Sequence, residues 1–482
     1  MSLAVKVAHN TLIQIVSKTI STVLGLVAVA VITRYLGQFG FGEYTTVVTF
    51  LSFFGIIIDF GLVLVTTQMI SEPGADENRI LSNLFTLRFF SALVFLGLAP
   101  IIVLFLPYGG AIKAGVAVAA LSFFFISLNQ IFTGLFQKEL RMEKASIAEV
   151  SGRVFLVMGV LATVRWSWGL LGVLATTSLS SGLNFALNYA FSRKFAKIKF
   201  RFEKEVWKEI FHRSWPLTVT IIFNLIYLKT DTLILSLVKT QSEVGIYGAA
   251  YKVIDVLVTI PFMFAGLVLP IMTVAWAEKN LDKLKNILQK SFDTMAVFAL
   301  PLLFGTEFLA TKVMVFVAGR EFAPSGDVLR VLILAASIIF LGTVFAHGII
   351  AINKQKKLIG AYVFTSATSL AGYLIFIPPY SYFGAAWVTI YSEFSIALLT
   401  AYVFWRFTRF LPRLRIFLKS AIASLFMLLM LNLGNLLSGN LFFLLVLSSV
   451  SYFVFLYLIG GLNFISIREV VFGQKQKNLS GG

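Results

Sequence analysis

The sequence predicts an all-α polytopic membrane protein, and three observations predict it. Of its 482 residues, 58% are hydrophobic and only 13% charged, with a mean hydropathy of +0.90. A water-soluble domain must cover itself largely with polar atoms and cannot hide that much apolar surface. The apolar residues also collect into about fourteen runs, and about 20 residues suffice for a helix to span a bilayer.

The runs lie near 11–34, 42–70, 83–106, 112–136, 146–164 and 168–192, then 214–238, 246–276, 291–317, 328–352, 358–378 and 383–405. A final pair follows at 416–437 and 440–463, split by the short turn Ser438-Gly439-Asn440. Lys6 precedes the first run and no small-residue cleavage site follows it, so that run reads as a span and not a removable signal.

The chain repeats itself. GFGEYTTVVTFLSFFGIIIDFGLVL follows span 1 and EVGIYGAAYKVIDVLVTIPFMFAGLVL follows span 7. Gly42 and Tyr44 match Gly245 and Tyr247 at an offset of 203. The GLVL tetrads at Gly61 and Gly266 match at 205, and Gly172 falls near Gly384 at 212. Six spans per repeat is an even number, so both copies start from the same side. Such halves are related by an axis along the membrane normal.

The domains expected are a six-helix bundle over 1–192, a basic linker over 193–213 and a second six-helix bundle over 214–406. The extra pair covers 407–463 and a tail 464–482. Phe202, Val206, Trp207, Ile210 and Phe211 share one helical face, which predicts a helix lying on the inner interface; residues 280–292 read the same way.

Net charge is +18, which first suggests nucleic acid, but the distribution argues against it. The odd-numbered loops hold only Arg34, Lys113, Arg165, Lys239 and Arg320. The N-terminus, the even-numbered loops and the tail hold most of the 40 lysines and arginines. That asymmetry puts both termini in the cytoplasm, and the excess suits anionic lipid headgroups. With no cysteine, disulfides and thiolate chemistry are excluded. His9, His212 and His347 are too scattered in sequence to suggest a metal site.

The apolar runs carry charges. Asp59 sits in GIIIDFGLVLV with no partner within ten residues, and a charge facing lipid near mid-membrane costs at least ~2.5 kcal/mol. Lys18, Arg88, Glu149, Arg153, Lys229, Asp231, Lys252, Asp255, Asp293, Glu307 and Glu393 raise the same question. Glu149–Arg153 at i,i+4 and Lys252–Asp255 at i,i+3 can neutralise on their own helices. Asp293 and Arg88, near span ends, can snorkel to the interface. Lys18, Asp59, Lys229, Asp231, Glu307 and Glu393 are left to pair across helices or to line a wet cavity. Tyr227, Tyr251, Tyr373 and Tyr391 lie deep enough to stack on sugars or simply to pack.

No P-loop, HExxH or GxSxG motif occurs, and no loop is long enough for a soluble catalytic core. Two six-span repeats plus two spans, the G-x-Y opening span 2, the DFGL of residues 59–62 and the KTD of 229–231 resemble the Wzx-type polysaccharide flippases. These belong to the superfamily of multidrug/oligosaccharidyl-lipid/polysaccharide exporters. The resemblance implies a V-shaped pair of bundles that moves polyprenyl-(pyro)phosphate-linked oligosaccharide from the inner to the outer leaflet by alternating access. It implies no enzyme activity, no cofactor beyond a coupling proton or sodium ion, and polysaccharide assembly proteins as neighbours.

Pyrophosphate capture is assigned to Lys18, Arg88 and Arg153, with Lys229 and Lys252 receiving it. Asp59, Asp231, Asp255, Glu307 and Glu393 are left for coupling or charge pairing, and Asp59 is expected to hold Lys18 or Arg153 until an anion competes. A multidrug or cation antiporter of the same fold, or a membrane glycosyltransferase or ligase, are the alternatives. The first wants an acidic cavity and the second long outer loops with acid residues.

Overall fold

A computed structural model describes residues 3–59, 61–72 and 74–461. The expected tail 464–482, the last residues of span 14 and Phe60 of the DFGL motif lie outside the described residues. Among the described residues the chain is all helix and loop, without strand. In order come α1 (Leu3–Asp59), α2 (Leu62–Ile70), α3 (Glu77–Ile102), α4 (Gly110–Lys138), α5 (Met142–Arg165), α6 (Gly169–Ser192) and α7 (Lys204–Val238). They are followed by α8 (Gln241–Leu257), α9 (Thr259–Ala277), α10 (Leu281–Ala318), α11 (Ser325–Ala351), α12 (Ile359–Thr408), α13 (Arg415–Leu437) and α14 (Leu441–Leu458).

Among the described residues, twelve helical stretches are long and apolar enough to cross a membrane. Two of them each hold two expected spans. α1 carries spans 1 and 2 and turns at Gly37 (φ 63, ψ −174), a left-handed conformation that glycine adopts without Cβ strain. α12 carries spans 11 and 12 and turns at Ser381 (φ 53, ψ −134) after Pro378 and Pro379. Those prolines remove two backbone donors, so the hydrogen-bond ladder lapses there. Span 2 is itself interrupted: α1 stops at Asp59 and Gly61 turns left-handed (φ 69) before α2.

The chain forms two compact units. The first holds Met1–Ala249 with Val317–Phe322 and Leu370–Ala385; the second holds Ala250–Phe316, Ala323–Ser369 and the chain from Ala386 onward. In the first unit a core of Val47, Leu51, Ile58, Leu96, Val116 and Leu174 joins α1, α3, α4 and α6. Small residues let its helices approach: Ser180 Oγ on α6 donates to the Gly152 carbonyl of α5 at 2.7 Å, the kind of contact that holds helices together where lipid weakens the hydrophobic drive. The second unit has one core from α9, α10, α11 and α12 and another from α10, α13 and α14.

Neither amphipathic segment forms a separate interfacial helix. α7 runs unbroken from Lys204 to Val238, and Val206 and Ile210 are buried against Leu62, Val65 and Met69 of α2 and Leu84 and Leu87 of α3. Residues 281–292 open α10, with Leu284, Leu288 and Phe292 in the core of the second unit. A helical apolar face fits a protein groove as well as a membrane surface, and here the groove takes it.

Residues 197–203 form an extended strap on α3. Alternate backbone N–H groups donate to α3 side chains: Lys197 to Asn78 at 2.7 Å, Lys199 to Ser82 at 3.1 Å, Arg201 to Thr86 at 2.8 Å and Glu203 to Asn83 at 2.8 Å. Phe200, pointing between these donors, packs its ring on Phe85 and Phe89. The Glu203 carboxylate then accepts from Arg79 Nε at 2.8 Å.

Within the first unit the sequence offset of 203 reappears in space. A Cβ on Gly42 would overlap the backbone carbonyl of Gln241, and one on Gly245 would overlap that of Gln38. Gln38 and Gln241 are themselves 203 apart. Between them, Thr45 Oγ1 stands 2.7 Å from where a Cβ of Gly248, its own counterpart, would be. Reciprocal contacts of this kind are the mark of a two-fold relation, here between two segments of one chain.

Candidate functional site

Because Gly61 breaks span 2, the last carbonyls of α1 lack helical partners, and Asp59 adds a full charge to that negative end. Arg88 of α3 answers it. Its Nη2 donates to Asp59 Oδ1 at 2.5 Å, and its Nη1 donates to the Ser127 carbonyl at 2.7 Å and to Gln130 of α4. Arg88 has no solvent exposure, whereas the Asp59 side chain keeps 22%.

This corrects two expectations. Arg88 does not snorkel, because an acceptor set fixes it inside the protein. Asp59 does not hold Lys18 or Arg153, because Arg88 occupies it. Gln130 was missed; the amide pair Asn129-Gln130 in an apolar run was its sequence signal.

Lys18 and Arg153 both lie on the face where α1 meets α5. Lys18 Nζ stands 3.5 Å from Glu149 Oε1, with half of the lysine side chain exposed. One turn along α5, the Arg153 guanidinium lies against α1 at Gly25, 3.9 Å from where a Cβ would stand. Tyr44, from the repeated G-x-Y, lies by Thr177 and within electrostatic reach of Arg153. The expected Glu149–Arg153 pair on α5 does not form, since Glu149 turns to Lys18 across the helices. Among the described residues Arg153 makes no hydrogen bond or ion pair, and it is half-buried.

The remaining candidates are distributed. Asp231 on α7 is fully buried; its Oδ2 accepts from the Tyr247 hydroxyl at 2.6 Å and its Oδ1 from the Thr232 backbone N–H at 2.5 Å. Tyr247 is the second repeat's G-x-Y tyrosine, so the repeated motif also marks Asp231's partner. Lys229 is half-buried and has partners of its own.

In the second unit, Lys252 and Asp255 pair on α8 at 3.7 Å, as their spacing predicted. Glu307 is exposed on α10, where its carbonyl accepts from Arg330 Nε at 3.0 Å. Glu393 is buried on α12 with no hydrogen bond or ion pair among the described residues. Asp293, half-buried, accepts from Gln289 at 2.9 Å.

Of the deep tyrosines, Tyr373 is fully buried and donates to the Tyr227 carbonyl at 2.9 Å, a packing role. Among the described residues no group of three His, Cys, Asp or Glu is placed to hold a metal.

At the water-facing ends two carboxyls are held by arginines. The Arg79 guanidinium beside Glu203 holds its carboxyl below the usual range, and Arg213 does the same to Glu72.

Comparison with known proteins gives four likenesses. A sequence profile described as polysaccharide biosynthesis protein matches residues 7–276. The probable low-salt glycan biosynthesis flippase Agl15 of Haloferax volcanii is 24% identical over 378 residues, 77% of each chain. Among solved structures, the lipid II flippase MurJ in an inward closed conformation superposes with a TM-score of 0.77 at 16% identity, covering 93% of this chain and 98% of MurJ. An inward-facing multidrug-resistance MATE transporter of the MOP superfamily superposes at 0.68 and 14%, covering 81% and 94%. The fold is that of the MOP-type polytopic transporters.

Proposed function

The chain belongs to the polysaccharide biosynthesis protein family, and on that premise we propose that it flips a polyprenyl-(pyro)phosphate-linked oligosaccharide from the inner to the outer leaflet by alternating access. It acts as a carrier and not as an enzyme. Both termini face the cytoplasm, and polysaccharide assembly proteins supply and receive its cargo. A sugar pyrophosphate cannot cross hydrocarbon unaided, because its hydroxyls and phosphate charges would lose their water. The carrier must therefore offer a polar path with cations for the phosphates.

One observation carries this reading: Arg153, half-buried within an apolar bundle, has no anion of its own among the described residues. A guanidinium is suited to a bidentate grip on phosphate. Lys18, half exposed and loosely held at 3.5 Å by Glu149, can exchange that carboxylate for the same cargo. Such a cationic face disfavours a cation extruder, which needs acids. The Asp59–Arg88 pair is a structural lock. Return of the empty carrier is coupled to a proton or sodium ion, and Glu393, buried without a cation partner, is the carboxyl best suited to take it.

The test is binding in detergent. A fluorescent lipid-linked oligosaccharide pyrophosphate should bind the wild type and lose about tenfold or more affinity in Arg153→Ala. A cationic dye should not compete. Equal binding by Arg153→Ala, or displacement by the dye, would overturn the assignment.

A further inference from the structure

Far along the chain from the α1–α5 face, the second unit holds a cavity of about 330 Å³. One wall is the first turns of α10, with Asp282, Lys285, Asn286 and Gln289. The other is the segment joining α12 to α13, with Arg409, Phe410, Leu411 and Arg413. Three cations face one carboxylate. Among the described residues Lys285, Arg409 and Arg413 form no ion pair, and Asp282 forms none either.

The walls are fixed. The Gln289 amide clamps the main chain of Arg413 from both sides, accepting from its N–H at 2.7 Å and donating to its carbonyl at 3.0 Å. Gln289 Nε2 also donates to Asp293 at 2.9 Å, so the clamp is itself held. Arg409 closes α12 in a left-handed conformation (φ 52, ψ 29), which a residue with a Cβ keeps only when its surroundings enforce it. Its guanidinium lies 4.6 Å over the Trp405 ring, which orients it without neutralising it.

Three cations lining one cavity with a single carboxylate leave an excess of positive charge, and a fixed backbone frame that keeps them there is what an anion site requires. We propose that this cavity binds a phosphate group, with Lys285, Arg409 and Arg413 as its ligands and the Asn286 amide within the same wall. The group comes either from the headgroup of an acidic membrane lipid or from a soluble phosphate compound. The site is separate from cargo capture and does not depend on it.

The experiment uses the purified full-length protein with two probes: inorganic pyrophosphate in uncharged detergent, and nanodiscs of phosphatidylglycerol against phosphatidylcholine. Wild type should bind at least one probe. The triple variant Lys285→Gln/Arg409→Asn/Arg413→Gln should lose about tenfold or more affinity for it. Asparagine at 409 tolerates the left-handed backbone, so the variant keeps the turn. In the Lys18→Ala/Arg153→Ala background the same three substitutions should cause the same loss, which separates this site from cargo capture. Preference for phosphatidylglycerol alone assigns the site to a lipid headgroup, and binding of pyrophosphate alone assigns it to a soluble phosphate. The proposal fails if wild type binds neither probe, or if the folded triple variant binds as tightly as wild type.

Discussion

Replacing Asp59 by leucine should unfold the protein more readily than almost any other single change in the first unit. The structure sets the magnitude. Arg88 has no solvent exposure, and among the described residues its one anionic partner is Asp59 Oδ1 at 2.5 Å. The Ser127 carbonyl and Gln130 accept from the other Nη, and among the described residues Nε already has no acceptor. Asp59→Leu therefore leaves a buried cation held by neutral acceptors, a loss of about 3–5 kcal/mol for a broken buried pair.

The double variant Asp59→Leu/Arg88→Met removes both charges and should recover to within about 1 kcal/mol of wild type, since apolar replacements of buried pairs are often neutral. Denaturant unfolding of the purified protein, followed by intrinsic tryptophan fluorescence, measures the cycle. Equal stability of Asp59→Leu and wild type, or a double variant less stable than the single, would refute the lock. An Asp59 that served ion coupling instead would keep stability and lose gradient dependence.

Other outcomes follow from the same contacts. Gly42→Ala and Gly245→Ala each drive a methyl group into a backbone carbonyl of the opposing segment, so each should cost about 1–3 kcal/mol in the same assay. Tyr247→Phe removes the hydroxyl that Asp231 accepts and should cost about 1–3 kcal/mol, while Tyr373→Phe should cost less, since only a carbonyl loses a donor. The Glu203 carboxyl lies below its ordinary value because of Arg79. Its contribution is present above the unfolded value of about 4.3 and is lost as pH falls through the folded value. Amide protection in residues 197–203 should fall in acid below that range and not between pH 6 and 8, and Glu203→Gln should show the acid level at neutral pH.

Much of this architecture was legible because membrane spans advertise themselves by length and hydropathy. The turns of α1 at Gly37 and of α12 at Ser381 fall in the gaps 35–41 and 379–382 between expected spans, whereas the break at Gly61 was not legible, since the apolar run continues on both sides of it. The repeat showed as Gly42, Tyr44, Gly245 and Tyr247, and those residues proved to hold the crossing and the Asp231 partner. Charge partners were the poorest inference. Proximity along one helix favoured Glu149–Arg153, but Lys18 from α1 was the better-placed cation for Glu149. Asp59 and Arg88, 29 residues apart, meet only because Gly61 ends the helix where α3 packs. The strap was invisible for a related reason: its donors are backbone N–H groups, which sequence patterning does not see.

Transbilayer movement itself is the most direct measurement. Proteoliposomes carrying a fluorescent pyrophosphate-linked oligosaccharide in both leaflets are treated with a membrane-impermeant quencher, and the protected fraction is followed over time. The account predicts that wild type exposes the inner pool, while the folded Lys18→Ala/Arg153→Ala variant leaves it protected as in empty vesicles. Full exposure by that double variant, or protection of the inner pool with wild type, would contradict it.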